Sequence, residues 1–185
     1  MPSLCCDLRK NNLPYDREMF LDTNVLLFIY GPFVDGKDVR TVSYSNLLKH
    51  CLENDIRFYI NHCVVSEFSN VYIRENYKID SSNGVDLEFK EYRKTERYKE
   101  VIVNLTDEWY HILEDCKICE TSICVKDVAI LIDKMPERLM DFNDEIISFD
   151  CIKNKFVLVP HDSDFSTHPD IEVVTGNRKL VEACA

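Results

Sequence analysis

The 185-residue chain has no run of about 18 consecutive apolar residues, so no segment of it reads as a membrane span. Its first residues, MPSLCCDLRKNNLPYDREM, lack the basic region followed by an apolar stretch that marks an export signal, and a cytoplasmic protein is expected. Positive charge is scarce. Only 22 Lys and Arg stand against 33 Asp and Glu, a net charge of −11 that argues against broad attraction to nucleic acid. A paired-cysteine framework is also missing, because the nine cysteines are odd in number and scattered from Cys5 to Cys184, which fits reduced thiols. Cys116, Cys119 and Cys124 in CKICETSIC contain a C-x-x-C, but no second such pair or histidine pair completes a zinc site, so packed thiols are expected. Adjacent Cys5 and Cys6 lack the glycine-second start of an acylated terminus. Repeats, low-complexity tracts and linkers are absent too, and the length suits one core. The expected layout is an N-terminal extension at 1–17, one domain at 18–176 and a tail at 177–185.

What is present alternates between strand and helix patterns. EMFLDTN (18–24) reads as a short strand ending in polar residues. Residues 39–54 place Val39, Val42, Leu47, Leu48, Cys51 and Leu52 mostly at helical spacing, and IRFYI (56–60) is a second strand. Asn61 is a candidate N-cap for the helix HCVVSEFSNVYIREN, whose Val64, Phe68, Val71 and Tyr72 form one stripe. YKIDSSNGV (77–85) reads as a loop. Residues 86–115 are strongly helical, with Tyr98, Val101, Ile102, Leu105, Trp109, Ile112 and Leu113 on one face; the interleaved charges of DLEFKEYRKTERYKE suit a solvated surface. A strand near 118–121, a helix from about 125 to 134, a break at Pro136, a helix from about 141 to 153, and the strands FVLVP and IEVV complete the chain. The predicted fold is α/β, a small parallel sheet of about five strands flanked by helices on both faces.

The acids fall at particular places on this plan. Asp162 and Asp164 follow an apolar strand two positions apart, and like charges at about 4 Å cost roughly 4 kcal/mol at an effective dielectric of 20 unless something positive sits between them. Asp22 ends the first strand in the same way. Carboxyl ends of parallel strands are where open sheets form ligand sites, so the three point toward one crevice. Glu67 lies about 60° from Val64 and about 40° from Val71 around its helix, at the edge of the core-facing stripe, where a carboxylate needs a partner. A nearby Arg or Lys is the plainer partner. Asp144 in DFNDEIISFDCIK shares a face with Ile147, Ser148 and Cys151, with Asp150 on the opposite side; Asp141, three residues earlier, is better explained as an N-cap and is the rival to Asp144.

FLDTNVLL, INHCVVSEF, NDEIISFDCIKNKFVLVPHDSDF and IEVV, in this order and at these separations, resemble the successive motifs of the PIN-domain nucleases, particularly the VapC-type toxin ribonucleases, over roughly Phe20 to Val174. The resemblance implies that Asp22, Glu67, Asp144 and Asp162 gather at one sheet edge and bind Mg2+ or Mn2+, as one or two ions. It also implies that Asp164 assists, and that Thr23 or Asn24 orients the first aspartate. Where many relatives carry a threonine, this chain has Pro160, which removes a hydroxyl and a backbone donor. His161 then offers a ring nitrogen near the metal or the scissile phosphate. The chain is longer than compact toxins, chiefly at its N-terminus and in its helical middle.

Carboxylate-held divalent ions suit phosphodiester hydrolysis, which needs a nucleophilic water, stabilisation of extra negative charge and an in-line leaving group. The expectation is a metal-dependent endoribonuclease that is the toxin of a toxin-antitoxin pair, with an RNA substrate, a small antitoxin protein and a homodimer as partners. The apolar residues around Tyr92 to Tyr110 are candidates for that dimer, or equally for intramolecular core. Two other readings exist. A haloacid-dehalogenase-like phosphatase needs an aspartate where this chain has Asn24. A non-catalytic PIN-like module that binds RNA or protein would be expected to have lost one or more of the acids, and none is lost.

Overall fold

In the computed structural model, residues 2, 4–10, 17–121 and 123–184 are described. The strands are β1 (Leu4–Asp7), β2 (Met19–Leu21), β3 (Phe58–Ile60), β4 (Cys116–Ile118), β5 (Val157–Val159) and β6 (Glu172–Thr175). The helices are α1 (Thr23–Tyr30), α2 (Val39–Glu53), α3 (His62–Ser82), α4 (Phe89–Tyr92), α5 (Glu96–Asp115), α6 (Val125–Arg138), α7 (Phe142–Asn154) and α8 (Arg178–Ala183), with a 3-10 turn at Asp164–Thr167. All strand pairs are parallel, in the order β1-β6-β5-β2-β3-β4. The sheet is therefore the expected parallel α/β sheet, with six strands.

That order decides where a site forms. From β2 the chain builds outward through β3 and β4 on one side, then returns to lay β5 and β6 on the other. The direction of winding reverses between β2 and β5, which opens a crevice beyond their carboxyl ends. Met19, Phe20 and Leu21 pair with Val157, Leu158 and Val159, and all six are buried. Burial on both faces explains why these strands read as continuous apolar runs.

Several local expectations are corrected. Residues 4–7, within the segment set apart as an extension, form the edge strand paired with β6. Helix α1 follows β2 at once, although the sequence reading gave it no element. Helix α3 continues through 77–82, residues read as loop, since the helix is already nucleated by a buried face and its end is held by Asp80, which accepts the Tyr92 hydroxyl at 2.6 Å and Arg97 Nε at 2.9 Å. The long helix at 86–115 is two, because Arg93–Thr95 turn the chain and Thr95 caps α5 through the Tyr98 N–H at 3.1 Å. Pro136 lies within α6, which ends instead at Leu139 in the left-handed region. The core stripe of α2 is Tyr44, Leu47, Leu48 and Cys51, whereas Val39, Val42 and Leu52 are 76%, 43% and 39% exposed. All nine cysteines are free, with Cys116 and Cys119 buried as expected and Cys124 exposed. Among the described residues no helix is long and apolar enough to cross a membrane.

The α3 N-terminus shows how a helix that carries an acid is fixed. Asn61 caps it, accepting the N–H groups of Cys63 at 3.0 Å and Val64 at 3.2 Å, and its own amide donates to Asp150 of α7 at 2.8 Å. Asp150 is buried and also accepts the Thr121 hydroxyl at 2.7 Å. Asn61→Ala removes a cap worth about 0.5–2 kcal/mol and takes from a buried carboxylate one of its two donors, leaving the Thr121 hydroxyl, at a further cost of about 1–3 kcal/mol. Denaturant unfolding should therefore show a loss of roughly 2–4 kcal/mol with an unchanged slope. A variant within about 0.5 kcal/mol of wild type, the scatter of ordinary surface substitutions, would contradict this role for Asn61.

Candidate active site

Asp22 stands where β2 becomes α1. Its N–H completes the ladder to β5 by donating to Val159 O at 3.2 Å, so its position is set by the sheet. The side chain is buried, and its Oδ2 has no hydrogen-bond partner. Two effects compete on this carboxyl. Burial and the nearby charges of Glu67 and Asp162 push its pKa up, while the N–H groups of Thr23 and Asn24 at the helix start pull it down. Burial dominates, and the pKa reaches about 7.

The other acids arrive on separate elements. Glu67 of α3 is half-buried and accepts the Thr23 hydroxyl at 2.9 Å, so the residue after Asp22 orients the second acid rather than the first. Asp144 is in the first turn of α7, pushed up to about 8 by burial and then by Asp141, Asp22 and Glu67. Asp141 caps that helix, accepting the Asp144 N–H at 3.0 Å, and is exposed. Asp162 is exposed beyond the end of β5, and its Oδ1 accepts the Asp164 N–H at 3.2 Å, closing a turn that leads into the 3-10 segment. Asp164 is pushed up by burial and then by Asp162. The fold thus brings Glu67, Asp144 and Asp162 within electrostatic reach of Asp22, and Asp144 within reach of Glu67.

Oxygen-only donors of this kind suit Mg2+ or Mn2+, and the unpartnered Asp22 Oδ2 is a buried lone-pair site facing other acids. Among the described residues, no three His, Cys, Asp or Glu side chains already meet at ligand-set distances.

Neutral contacts that the sequence reading missed fix the rim. Pro160 brings no hydroxyl, but its carbonyl accepts that of Thr175 in β6 at 2.7 Å. The Asn177 amide donates to the His161 carbonyl at 2.6 Å while its oxygen caps α8. Buried Tyr44 of α2 reaches across to His161 Nδ1 at 2.8 Å. Burial, and then Arg40, lower the His161 pKa. On the other flank, Arg138 pairs with buried Glu145 at 2.7 Å and meets His168 Nε2 at 2.6 Å, tying the loop after Asp164 to α6 and α7. Tyr44 had the only available sequence signal, a helical spacing shared with Leu47, Leu48 and Cys51.

Asp22 and Asp144 bind protons more tightly folded than unfolded, so their stabilising contribution is complete below about pH 4 and is lost as pH rises through about 7 and 8. Chelator-treated protein should therefore lose Tm between pH 5.5 and 8.5. Asp22→Asn should gain stability relative to wild type between pH 5.5 and pH 8.5, by roughly 2–4 °C for each kcal/mol relieved. An Asp22→Asn protein that gains nothing on wild type between these pH values would contradict the uncompensated charge.

No protein-family profile matches the sequence, and no curated protein matches it. Solved structures that share its fold include the following two. VapBC2 from Rickettsia felis, solved bound to a DNA fragment from their promoter, is 16% identical with a TM-score of 0.55, covering 85% of this chain and 97% of that one. PAE2754 from Pyrobaculum aerophilum is 16% identical with a TM-score of 0.51, covering 96% of each chain. With its six parallel strands, flanking helices and acids at the β2/β5 crevice, the chain has a PIN-like fold.

Proposed function

We propose that the protein is a divalent-metal-dependent endoribonuclease. The observation that carries this reading is the buried Asp22 carboxylate, which has an unpartnered oxygen at the strand-order reversal and lies within electrostatic reach of Glu67, Asp144 and Asp162. A structural ion pair would place a cation there. Instead the strongest electrostatic influences on Asp22 and Asp144 beyond burial come from further acids. Burying an uncompensated carboxylate costs several kcal/mol, and such costs concentrate at functional sites.

Asp22 and Asp162 would be the central ligands, with Glu67 and Asp144 holding a second ion or a ligand water. When bound, Mg2+ or Mn2+ supplies charge neutralisation at the phosphate and a water acidic enough to act as nucleophile. The protein's own work is placement. The Asp22 backbone is locked to β5, and Thr23 holds Glu67 in orientation. Asp141 fixes the first turn of α7 and so aims Asp144. Protonation of Asp22 or Asp144 near neutral pH would compete with a divalent ion held by these acids, and RNA phosphates would add to its oxygen ligands.

The likeness to VapBC2 supports a toxin role with a small antitoxin as partner. A homodimer would have to use less of α5 than the sequence suggested, because Tyr92, Val101 and Leu105 are buried within the chain, leaving Val103 and Tyr110 exposed.

Purified protein with a mixed RNA should cleave it in Mg2+ or Mn2+ and stop on addition of EDTA. Asp22→Asn should lower the rate by on the order of 100-fold or more, since even outer partners of metal ligands are worth about 10–100-fold. Metal-independent cleavage, or an Asp22→Asn protein as active as wild type, would sink the mechanism. Binding without cleavage of any RNA would favour a non-catalytic module.

A further inference from the structure

His161 sits between Pro160 and Asp162, with its ring edge-on to Phe28 at 4.9 Å and to Tyr44 at 5.6 Å between centroids. Its Nδ1 is 2.8 Å from the Tyr44 hydroxyl. That hydroxyl has a single proton to donate, and its oxygen already accepts the Gly176 N–H at 3.0 Å. Two acceptors compete for the proton, Nδ1 at 2.8 Å and Pro160 O at 3.3 Å. Nδ1 is the nearer of the two, and Pro160 O also accepts the Thr175 hydroxyl at 2.7 Å, which favours Nδ1 as the acceptor of the Tyr44 proton. A neutral imidazole that accepts at Nδ1 holds its own proton on Nε2. Among the described residues nothing hydrogen-bonds to Nε2, and the ring is only half-buried.

A protonated Nε2 cannot ligate a cation, and Nδ1 is occupied. The ring is thereby removed from the ligand set although it adjoins Asp162. It is left as a donor at the rim of an acidic site, where the ligand with free acceptor oxygens is a phosphate.

We propose, resting on the nuclease reading above, that His161 donates its Nε2–H to a non-bridging phosphate oxygen of bound RNA, and that Tyr44 is the positioning residue that fixes the tautomer. A neutral donor suits this place better than Lys or Arg, because it binds phosphate without adding a positive charge that would compete with a divalent cation at Asp162. Phe28 holds the ring plane, and Tyr44 is itself anchored by the Gly176 N–H, so the donor direction is set before substrate arrives.

Two measurements on the full-length protein test this. Nitrogen-15 NMR of the histidine side chains should show His161 with an unprotonated-type Nδ1 and a protonated-type Nε2, and Tyr44→Phe should erase that preference. In RNA cleavage, His161→Ala should lower kcat/KM by about 10-fold or more, the worth of a hydrogen bond to a charged group. His161→Gln, whose amide reaches the Nε2 position, should recover most of the loss, and His161→Asn should not. Mn2+ binding measured by calorimetry without RNA should be the same for wild type and His161→Ala. A proton on Nδ1, a His161→Ala enzyme as fast as wild type, or weakened Mn2+ binding by His161→Ala would overturn the inference while leaving the nuclease reading intact. A wild-type protein that cuts no RNA in Mg2+ or Mn2+ would instead overturn the nuclease reading itself.

Discussion

The placement of Asp22 is the constraint on which the rest of the site depends. Its backbone belongs to the β2/β5 ladder and its side chain is buried beside other acids with one oxygen unpartnered. The start of α1 opposes the resulting rise in pKa, but a helix N-terminus stabilises a carboxylate by about 0.3–1 kcal/mol at exposed positions and up to about 2 kcal/mol when partly buried. Desolvation is the larger effect, so a proton or a cation has to resolve the charge.

Around this charge the fold supplies a ring of mostly neutral hydrogen bonds. Thr23 secures Glu67, and Asn61 ties the α3 N-terminus to Asp150 on the helix that carries Asp144. Thr175 and Asn177 hold the carbonyls of Pro160 and His161, while Arg138 couples Glu145 to His168 behind the Asp164 turn. Each acid-bearing element is thus fixed by neutral donors or by contacts away from its acid, and no cation pairs with Asp22 or Asp144 among the largest influences on them. Such a division permits a site that is electrostatically unfavourable inside a well-packed domain.

Much of the architecture was legible because parallel buried strands leave strong marks. MFL and VLV are apolar on both faces, and each runs directly into the polar site residues. Asp22, Glu67, Asp144 and Asp162 could be singled out by strand ends and helical phase, which are local properties. Tyr44's bonds and Asn61's bond to Asp150 could not, since each acts across more than 80 positions of sequence, where spacing carries no information. Strand β1 escaped notice because LCCD is short and pairs only along one edge. The α3 and α6 boundaries were misread for a different reason. Polar residues and a proline near a helix end are tolerated once the preceding turns are anchored by packing.

The central claim is that the uncompensated charge at Asp22 is a cation site shared among the four acids. Anomalous scattering from crystals grown with Mn2+ tests it most directly. The expected result is a peak within about 2.5 Å of an Asp22 carboxylate oxygen, with an oxygen of Asp162, Glu67 or Asp144 in the same coordination sphere. A protein crystallised at pH 8 in excess Mn2+ with no peak at Asp22, or with peaks confined to surface carboxylates elsewhere, would contradict it.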